Sequence, residues 1–373
     1  MSAVNLRVRQ AIEAFKAGEM IVVTDDDDRE NEGDLIVAAS HCTTEQMAFM
    51  VRHTSGIVCA PLSREEAARL NLDPMVANND APHSTAFTVS VDYRHDTTTG
   101  ISAAERCSTV RALANPNAGA TDFVRPGHIF PLVAKEGGVL TRSGHTEAAV
   151  DLCRLSELPP IGVISELVND DGTVKRGDDV AAFAREHKLK QVSVADLITY
   201  RQRREKLVER VAEQGIKTRF GDARAISYRT PFDPMHHLAV VFGNIHDGGP
   251  VPVRLHLEDI LGDVFGANEI LASGIASIAD EGRGIVVYLR EGGAGVSQGE
   301  DRNSRGPTMS SEDLEQHEST LAREGAWREI GLGAQILRDL DVSNIRLLAS
   351  KKRHYVGLDA FGITIDETDI LDV

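Results

Sequence analysis

Residues 21–39, IVVTDDDDRENEGDLIVAA, constrain this chain more than any other stretch. Two apolar runs bracket it, Ile21-Val22-Val23-Thr24 and Leu35-Ile36-Val37-Ala38-Ala39, and both have the length and β-branched content of short buried strands. Between them stand Asp25, Asp26, Asp27, Asp28, Glu30, Glu32 and Asp34, interrupted by Arg29, Asn31 and Gly33. Carboxylates this dense repel one another and stay ionised only when solvated, paired with Arg29 or bound to a cation. A solvated acidic turn satisfies the composition. Its place between core strands, however, turns some of the acids toward the domain interior. The order R-E-N-E-G-D also mixes acids with one Arg and one Gly, as an anionic substrate with a metal requires. An EF-hand calcium loop does not fit. With Gly33 at the turn position the closing bidentate carboxylate falls on Ala39, and strands rather than helices flank the loop.

The 373 residues suffice for two or three domains with real cores. A formal net charge of -17 argues against general nucleic-acid affinity. No apolar run reaches membrane-spanning length, and the first fifteen residues lack the apolar centre of a signal peptide. Cys42, Cys59, Cys107 and Cys153 are widely spaced with no C-x-x-C pair, which suits a reduced, cytoplasmic setting. All four lie in the first half, so the second half cannot build a thiolate zinc site.

Taken in order, the pattern predicts a helix over 4–17, the acidic hairpin, and a helix over 45–52 with Thr44 as N-cap. A strand over 56–60 is expected to stop at Pro61, and a helix capped at Ser63 to run to Leu70. Strands are expected at 87–91, 127–134 and 162–168, and helices at 102–114, capped by Ser102, and from Glu147 to Cys153. Residues 194–213 read as one charged helix marking a joint, with the boundary near 205–212. Beyond it come strands at 237–242, 284–288 and 345–348 and helices at 313–324 and 330–340. Interleaved strands and helices imply an α/β (α+β) chain of two domains, 1–205 and 210–373, each a mixed sheet packed with helices.

Thr141-Arg142-Ser143-Gly144-His145-Thr146-Glu147 is the second constellation. Small and hydroxyl residues opening a helix, with Arg142 and Thr146, make a phosphate cradle. His145 is a metal-ligand candidate as well as a possible structural histidine. With Glu30 and waters it gives an oxygen-rich site with one imidazole, suited to Mg²⁺ or Mn²⁺ rather than to closed zinc ligation. His128 and Glu166 are candidates for proton transfer. Cys59 reads as a packed core thiol or as a pocket-lining one.

Together D-D-x-D-R-E-N-E-G-D at 25–34, R-P-G-H-I-F-P-L at 125–132 and T-R-x-G-H-T-E-A at 141–148 resemble 3,4-dihydroxy-2-butanone 4-phosphate synthase of riboflavin biosynthesis, over residues 1–205. The resemblance implies a homodimeric lyase taking ribulose 5-phosphate to 3,4-dihydroxy-2-butanone 4-phosphate and formate, with Mg²⁺ or Mn²⁺, two ions per site. It implies metal held by Glu30 and His145. Substrate would be held by Arg29, Glu30, Asp34, Arg142, Ser143, Gly144, His145, Thr146 and Glu166, with Arg142 and Thr146 on the phosphate. Catalysis would fall to His128 and Glu166, with Asp34 and Glu32 as further acids. Which loop carboxylate moves protons stays open.

From about residue 210 the chain resembles GTP cyclohydrolase II, through Val253-Arg254-Leu255-His256, Gly262-Asp263-Val264-Phe265-Gly266 and residues 331–337. That family's zinc motifs, E-C-L-T-G-D and R-C-D-C-G, read here Glu258-Asp259-Ile260-Leu261-Gly262-Asp263 and Asn268-Glu269-Ile270-Leu271-Ala272. Its D-x-R-x-Y-G keeps Arg328 but has Ala326 and Ile330. The expectation is a half that keeps the fold, binds no zinc and has lost GTP ring opening. A bifunctional enzyme and a non-catalytic flavin-pathway scaffold are the competing readings.

Overall fold

In the computed structural model the residues described are 3–25, 30–81, 85–95, 97–231, 233–265, 270–290, 331–349 and 358–371. They divide into two compact units, Met1–Arg201 and Gln202–Val373. No helix among them is long and apolar enough to cross a membrane. Arg29, the expected helix at 313–324 and the segments around Asn268, Ala326 and Arg328 lie outside the described residues.

The first unit contains helices α1 (Ala3–Lys16), α2 (Thr44–His53), α3 (Arg64–Arg69), α4 (Ala103–Leu113), α5 (His145–Leu155) and α6 (Gly177–Glu186), with α7 (Val194–Arg204) crossing its C-terminal limit. Its strands are β1 (Ile21–Thr24), β2 (Gly33–Ala38), β3 (Cys59–Leu62), β4 (Val91–Tyr93), β5 (Phe123–Val133), β6 (Gly162–Glu166) and β7 (Lys190–Ser193). They form one mixed sheet in the order β4-β5-β3-β6-β2-β1-β7. The β1 and β2 runs pair antiparallel, with Val23 opposite Asp34, and every residue of β2 is buried. On its other side β2 pairs with β6, which sets Asp34 opposite Glu166.

Local rules account for most helix starts. Ser102 and Glu105 form a capping box on α4, and Ser63 caps α3. On α2 the cap is Thr43, in a capping box with Gln46, one residue before the expected Thr44. Three other expectations are corrected. Pro61 lies inside β3 rather than ending it. It pairs with Leu132 of parallel β5, while on the other side β3 meets β6 at Cys59 and bridges Ile161 through Leu62 among the described pairings, so no ladder bond is asked of Pro61 there. The expected strand at 87–91 is reduced to isolated bridges at Phe87 and Thr88, and β4 starts at Val91. The helix expected over 194–213 ends at Arg204, and strand β8 begins at Glu209.

The second unit carries β8 (Glu209–Thr218), β9 (Gly221–Thr230), β10 (Asp233–Phe242), β11 (Val251–Leu257), β12 (Gly284–Leu289), β13 (Asn344–Ala349) and β14 (Thr364–Ile370). They build a second mixed sheet, β14-β13-β11-β12-β10-β9-β8, accompanied by α8 (Ile260–Phe265), α9 (Ile270–Asp280) and a helix at 331–339. β8 is an exposed edge strand, and its charges pair across the ladder: Arg229 with Glu209, and Arg224 with Glu213.

A bulge in β5 matters for the site. Val91 faces Ile129, but the next residue, Asp92, faces Val124, so residues 125–128 are extruded from the ladder. Gly127 lies against the backbone of β4. A Cβ there would stand 2.0 Å from the Val91 carbonyl carbon and 2.3 Å from the Asp92 nitrogen. Gly127→Ala is therefore expected to cost about 1–3 kcal/mol, because strand backbone rather than a flexible side chain must move. Chemical denaturation of the variant checks this, and a midpoint equal to that of the parent would refute it.

Candidate active site

The acidic hairpin folds back on its first member. The Asp25 carboxylate accepts the backbone N–H of Glu30 at 3.1 Å and of Glu32 at 2.8 Å, and Asp25 N–H donates to Glu32 O. This cradle brings Glu30 over the end of β2. Helix α5 approaches from the other side, with Gly144 as its N-cap and His145 as its first residue. Asp25, Glu30 and His145 each offer a ligand atom, and the three atoms lie within 4.8 Å of one another. Asp25 and His145 are buried and Glu30 is half-buried.

Donor chemistry fits a divalent cation there. The His145 Nε2 is buried with no hydrogen-bond partner, as is the Asp34 Oδ1, which lies 3.8 Å from His145 Nδ1. An orphaned buried nitrogen costs about 1–3 kcal/mol unless something occupies it. Two carboxylates and one imidazole make the oxygen-rich set that hard cations prefer. Burial pushes the Asp34 carboxyl up to about 7; the His145 ring opposes the shift, while Glu166, Glu30 and Asp25 add to it. Glu166 reaches solvent with part of its side chain, yet crowding by protein atoms is the first cause of its upward shift, followed by Glu32 and Glu30. Cys59 is buried, and its thiol is pushed up to about 12 by burial and then by the charges of Asp34 and Glu166. It thus packs as a neutral thiol within electrostatic reach of the acids. Glu32 also pairs with Arg176 at 2.9 Å.

The same helix start gathers the expected phosphate residues. Gly144 supplies no capping side chain, so the first-turn amides of α5 keep their dipolar field for an anion. Arg142 bonds the buried Glu147 carboxylate at 2.6 Å and reaches the Thr85 hydroxyl at 3.3 Å. Glu147 also accepts the Lys135 N–H at 2.9 Å. A Cβ on Gly144 would stand 2.4 Å from Arg142 Nη1, so the guanidinium lies directly over this glycine. Ser143 and Thr146 are buried beside it. His128 lies apart from this group: it sits in the extruded segment of β5, two strands away from β6.

Comparison with known proteins decides the family. Residues 9–200 match 3,4-dihydroxy-2-butanone 4-phosphate synthase, and residues 209–369 match GTP cyclohydrolase II. The riboflavin biosynthesis protein RibBA of Rhodococcus erythropolis is 45% identical over 372 residues, covering 96% of this chain and 88% of that protein. The chain belongs to the 3,4-dihydroxy-2-butanone 4-phosphate synthase family. Its second half carries the GTP cyclohydrolase II domain found with it in such relatives. RibBA of Bacillus mycoides is 44% identical over 97% of this chain and 92% of its own length. Among solved structures, RibBX, a two-domain 3,4-dihydroxy-2-butanone 4-phosphate synthase from A. baumannii, superposes with a TM-score of 0.79 at 38% identity, covering 98% of this chain and 99% of that one. A 3,4-dihydroxy-2-butanone 4-phosphate synthase in complex with two magnesium ions is 50% identical, with a TM-score of 0.51, over 53% of this chain and 97% of that one. The protein is thus a lyase of riboflavin biosynthesis.

Three residues of the synthase half escaped the sequence reading of the site. Asp25 was one acid among many, and only its turn hydrogen bonds single it out. Glu147 looked like an ordinary first-turn helix acid but is 1% exposed beneath Arg142. Asp92 falls one residue past the strand expected at 87–91, and an acid beside the apolar Val91 is the kind of signal that marks a buried partner. In the cyclohydrolase-like half, Asp263 accepts from His256 Nε2 at 2.9 Å and from the Tyr288 hydroxyl at 2.7 Å. Asp259, where the family's motif has cysteine, accepts the Gly262 N–H at 3.1 Å, a local turn bond.

Proposed function

We propose that the synthase half takes D-ribulose 5-phosphate to L-3,4-dihydroxy-2-butanone 4-phosphate and formate with Mg²⁺ or Mn²⁺, two ions per site, and that the other half does not open GTP. The convergence of Asp25, Glu30 and His145, around an imidazole nitrogen with no partner, carries this reading. Glu30 and His145 hold the metal, with Asp25 beside them. A bound divalent ion acts as a Lewis acid on the ketone and neighbouring hydroxyl of the sugar.

The chain's own groups supply the rest. Arg142, Ser143, Gly144 and Thr146 anchor the phosphate at the start of α5, with Arg29 as a further cation; this orients the sugar carbons toward Asp34 and Glu166. Asp34, whose carboxyl is raised by burial in the metal-free fold, takes a proton from carbon or hydroxyl and returns it. Glu166, also shifted upward, shares that work from the facing position on β6. Glu32, tied to Arg176, holds the loop in place and contributes charge. His128, on the extruded segment of β5, is the remaining acid–base group of the reaction. The enzyme works as a homodimer in the cytoplasm.

For the second half, no cysteine exists beyond residue 153, so the thiolate zinc site of GTP cyclohydrolase II has no ligands. Incubating the whole protein with ribulose 5-phosphate and Mg²⁺ is expected to release formate, while GTP releases none and the purified protein carries no stoichiometric zinc. Silence with ribulose 5-phosphate sinks the first proposal; formate from GTP or one zinc per chain sinks the second.

A further inference from the structure

The extruded segment 125–128 presents His128 on a carboxylate that the sequence motifs do not include. Asp92 is 5% exposed, and it holds His128 twice: one oxygen accepts the backbone N–H at 2.8 Å and the other faces the ring Nδ1 at 2.7 Å. The seat around it leaves no slack. A Cβ on Gly100 would stand 2.0 Å from the Asp92 Oδ2, and one on Gly127 would strike the β4 backbone. Behind Asp92 lies the buried Arg106, whose guanidinium donates to Gly56 O at 3.1 Å and feels the Asp92 charge. The Ser90 hydroxyl takes the Gly127 N–H at 3.1 Å, closing the segment at its other end. The His128 ring itself remains 42% exposed, so its far edge opens to a substrate.

We infer that Asp92 is a positioning residue for the synthase reaction, holding His128 as the Nδ1–H tautomer so that Nε2 is the atom that accepts and returns the proton. The inference rests on the catalytic place given to His128 above. A carboxylate only accepts, so the ring nitrogen facing it must be the donor, and in a neutral imidazole the other nitrogen is then the base. The double hold also fixes both the ring and the backbone from which it projects. A plain structural role for Asp92 needs the backbone bond alone and sets no tautomer.

The test uses the whole protein. The ¹⁵N spectrum of the histidine rings, with His128 identified as the signal missing in His128→Ala, is expected to show Nδ1–H for His128 in the native chain above neutral pH. Asp92→Asn keeps the shape but offers an amide, and its kcat for formate release is expected to fall about 10–100-fold with KM little changed, while the His128 signal moves toward the Nε2–H form. An Nε2–H tautomer in the native chain overturns the inference, and this arm decides even where Asp92→Asn fails to fold. An inactive His128→Ala beside a fully active Asp92→Asn overturns the inference while leaving His128 catalytic. A fully active His128→Ala removes the catalytic assignment itself and the inference with it.

Discussion

Replacing His145 by Ala is expected to lower formate release from ribulose 5-phosphate roughly a thousandfold, the scale on which a preorganised electrophilic site fails when one of its anchors is lost. The same variant is expected to be no less stable than the parent without metal. The buried Nε2 has no partner, so its removal relieves about 1–3 kcal/mol of unmet hydrogen bonding, which offsets the cavity left by the ring. The two proteins should separate when Mg²⁺ is added. Binding to the folded state raises the parent's melting temperature in proportion to the logarithm of ligand concentration, and the variant loses that rise. Thermal melts with and without Mg²⁺, alongside formate assays, check both halves. An equal Mg²⁺ shift in parent and variant, or activity within about tenfold of the parent, would sink the metal assignment.

Asp151→Ala should do the reverse and act first on the fold. Asp151 is 1% exposed, pairs with the buried Arg201 at 2.7 Å and accepts the Val139 N–H at 2.8 Å. It is packed against Gly138, which has a φ of +63 and where a Cβ would stand 2.1 Å from Asp151 Oδ1. The turn it tethers leads directly into Arg142 and His145. Truncation takes the carboxylate away from the buried Arg201 charge, for an expected loss of about 3–5 kcal/mol. The pair itself is not a strong stabiliser. Burial outweighs the guanidinium and pushes the Asp151 carboxyl up to about 6. The unfolded chain titrates this group near 3.9, so between roughly pH 4 and 6 the folded state holds the extra proton. Its contribution is full below about pH 4 and fades as pH rises through about 6. Protonated Asp151 and the Asn amide are alike in charge, so the parent should lose stability relative to Asp151→Asn over that window and the difference should stay flat above it. Urea melts across pH check this; a parent that gains stability relative to Asp151→Asn with rising pH would reverse the assignment.

The cyclohydrolase-like half persists as an ordered sheet even though its family's thiolate ligands are gone, and packing explains how. Val253, Leu255, Ile285, Val287, Ile345 and Leu347 are buried on adjacent strands, and this apolar frame does not depend on a metal. Within it, His256 and Tyr288 both bond the Asp263 carboxylate.

Short-range information was enough for much of the first unit. The runs at 21–24 and 35–39 had to be buried strands because β-branched apolar residues of that length have no other stable use, and they are β1 and β2. Ser63 and Ser102 had to cap helices because each meets a Glu three residues on. Local pattern failed where distant partners overrode it. Residues 209–218 carry helix-forming residues, yet they are held in a strand by the antiparallel ladder to β9, a pairing that helix propensity does not register. The acids, Arg142 and His145 were legible as chemistry by residue type and motif. Their meeting was not, because it depends on β2 lying between β1 and β6 while α5 starts beside them, a matter of strand order and chain reversal. Asp92 beneath His128 and Glu147 beneath Arg142 belong to the same class. What an acid does when buried is set by the one cation or ring packed against it, and only the folded chain chooses that neighbour.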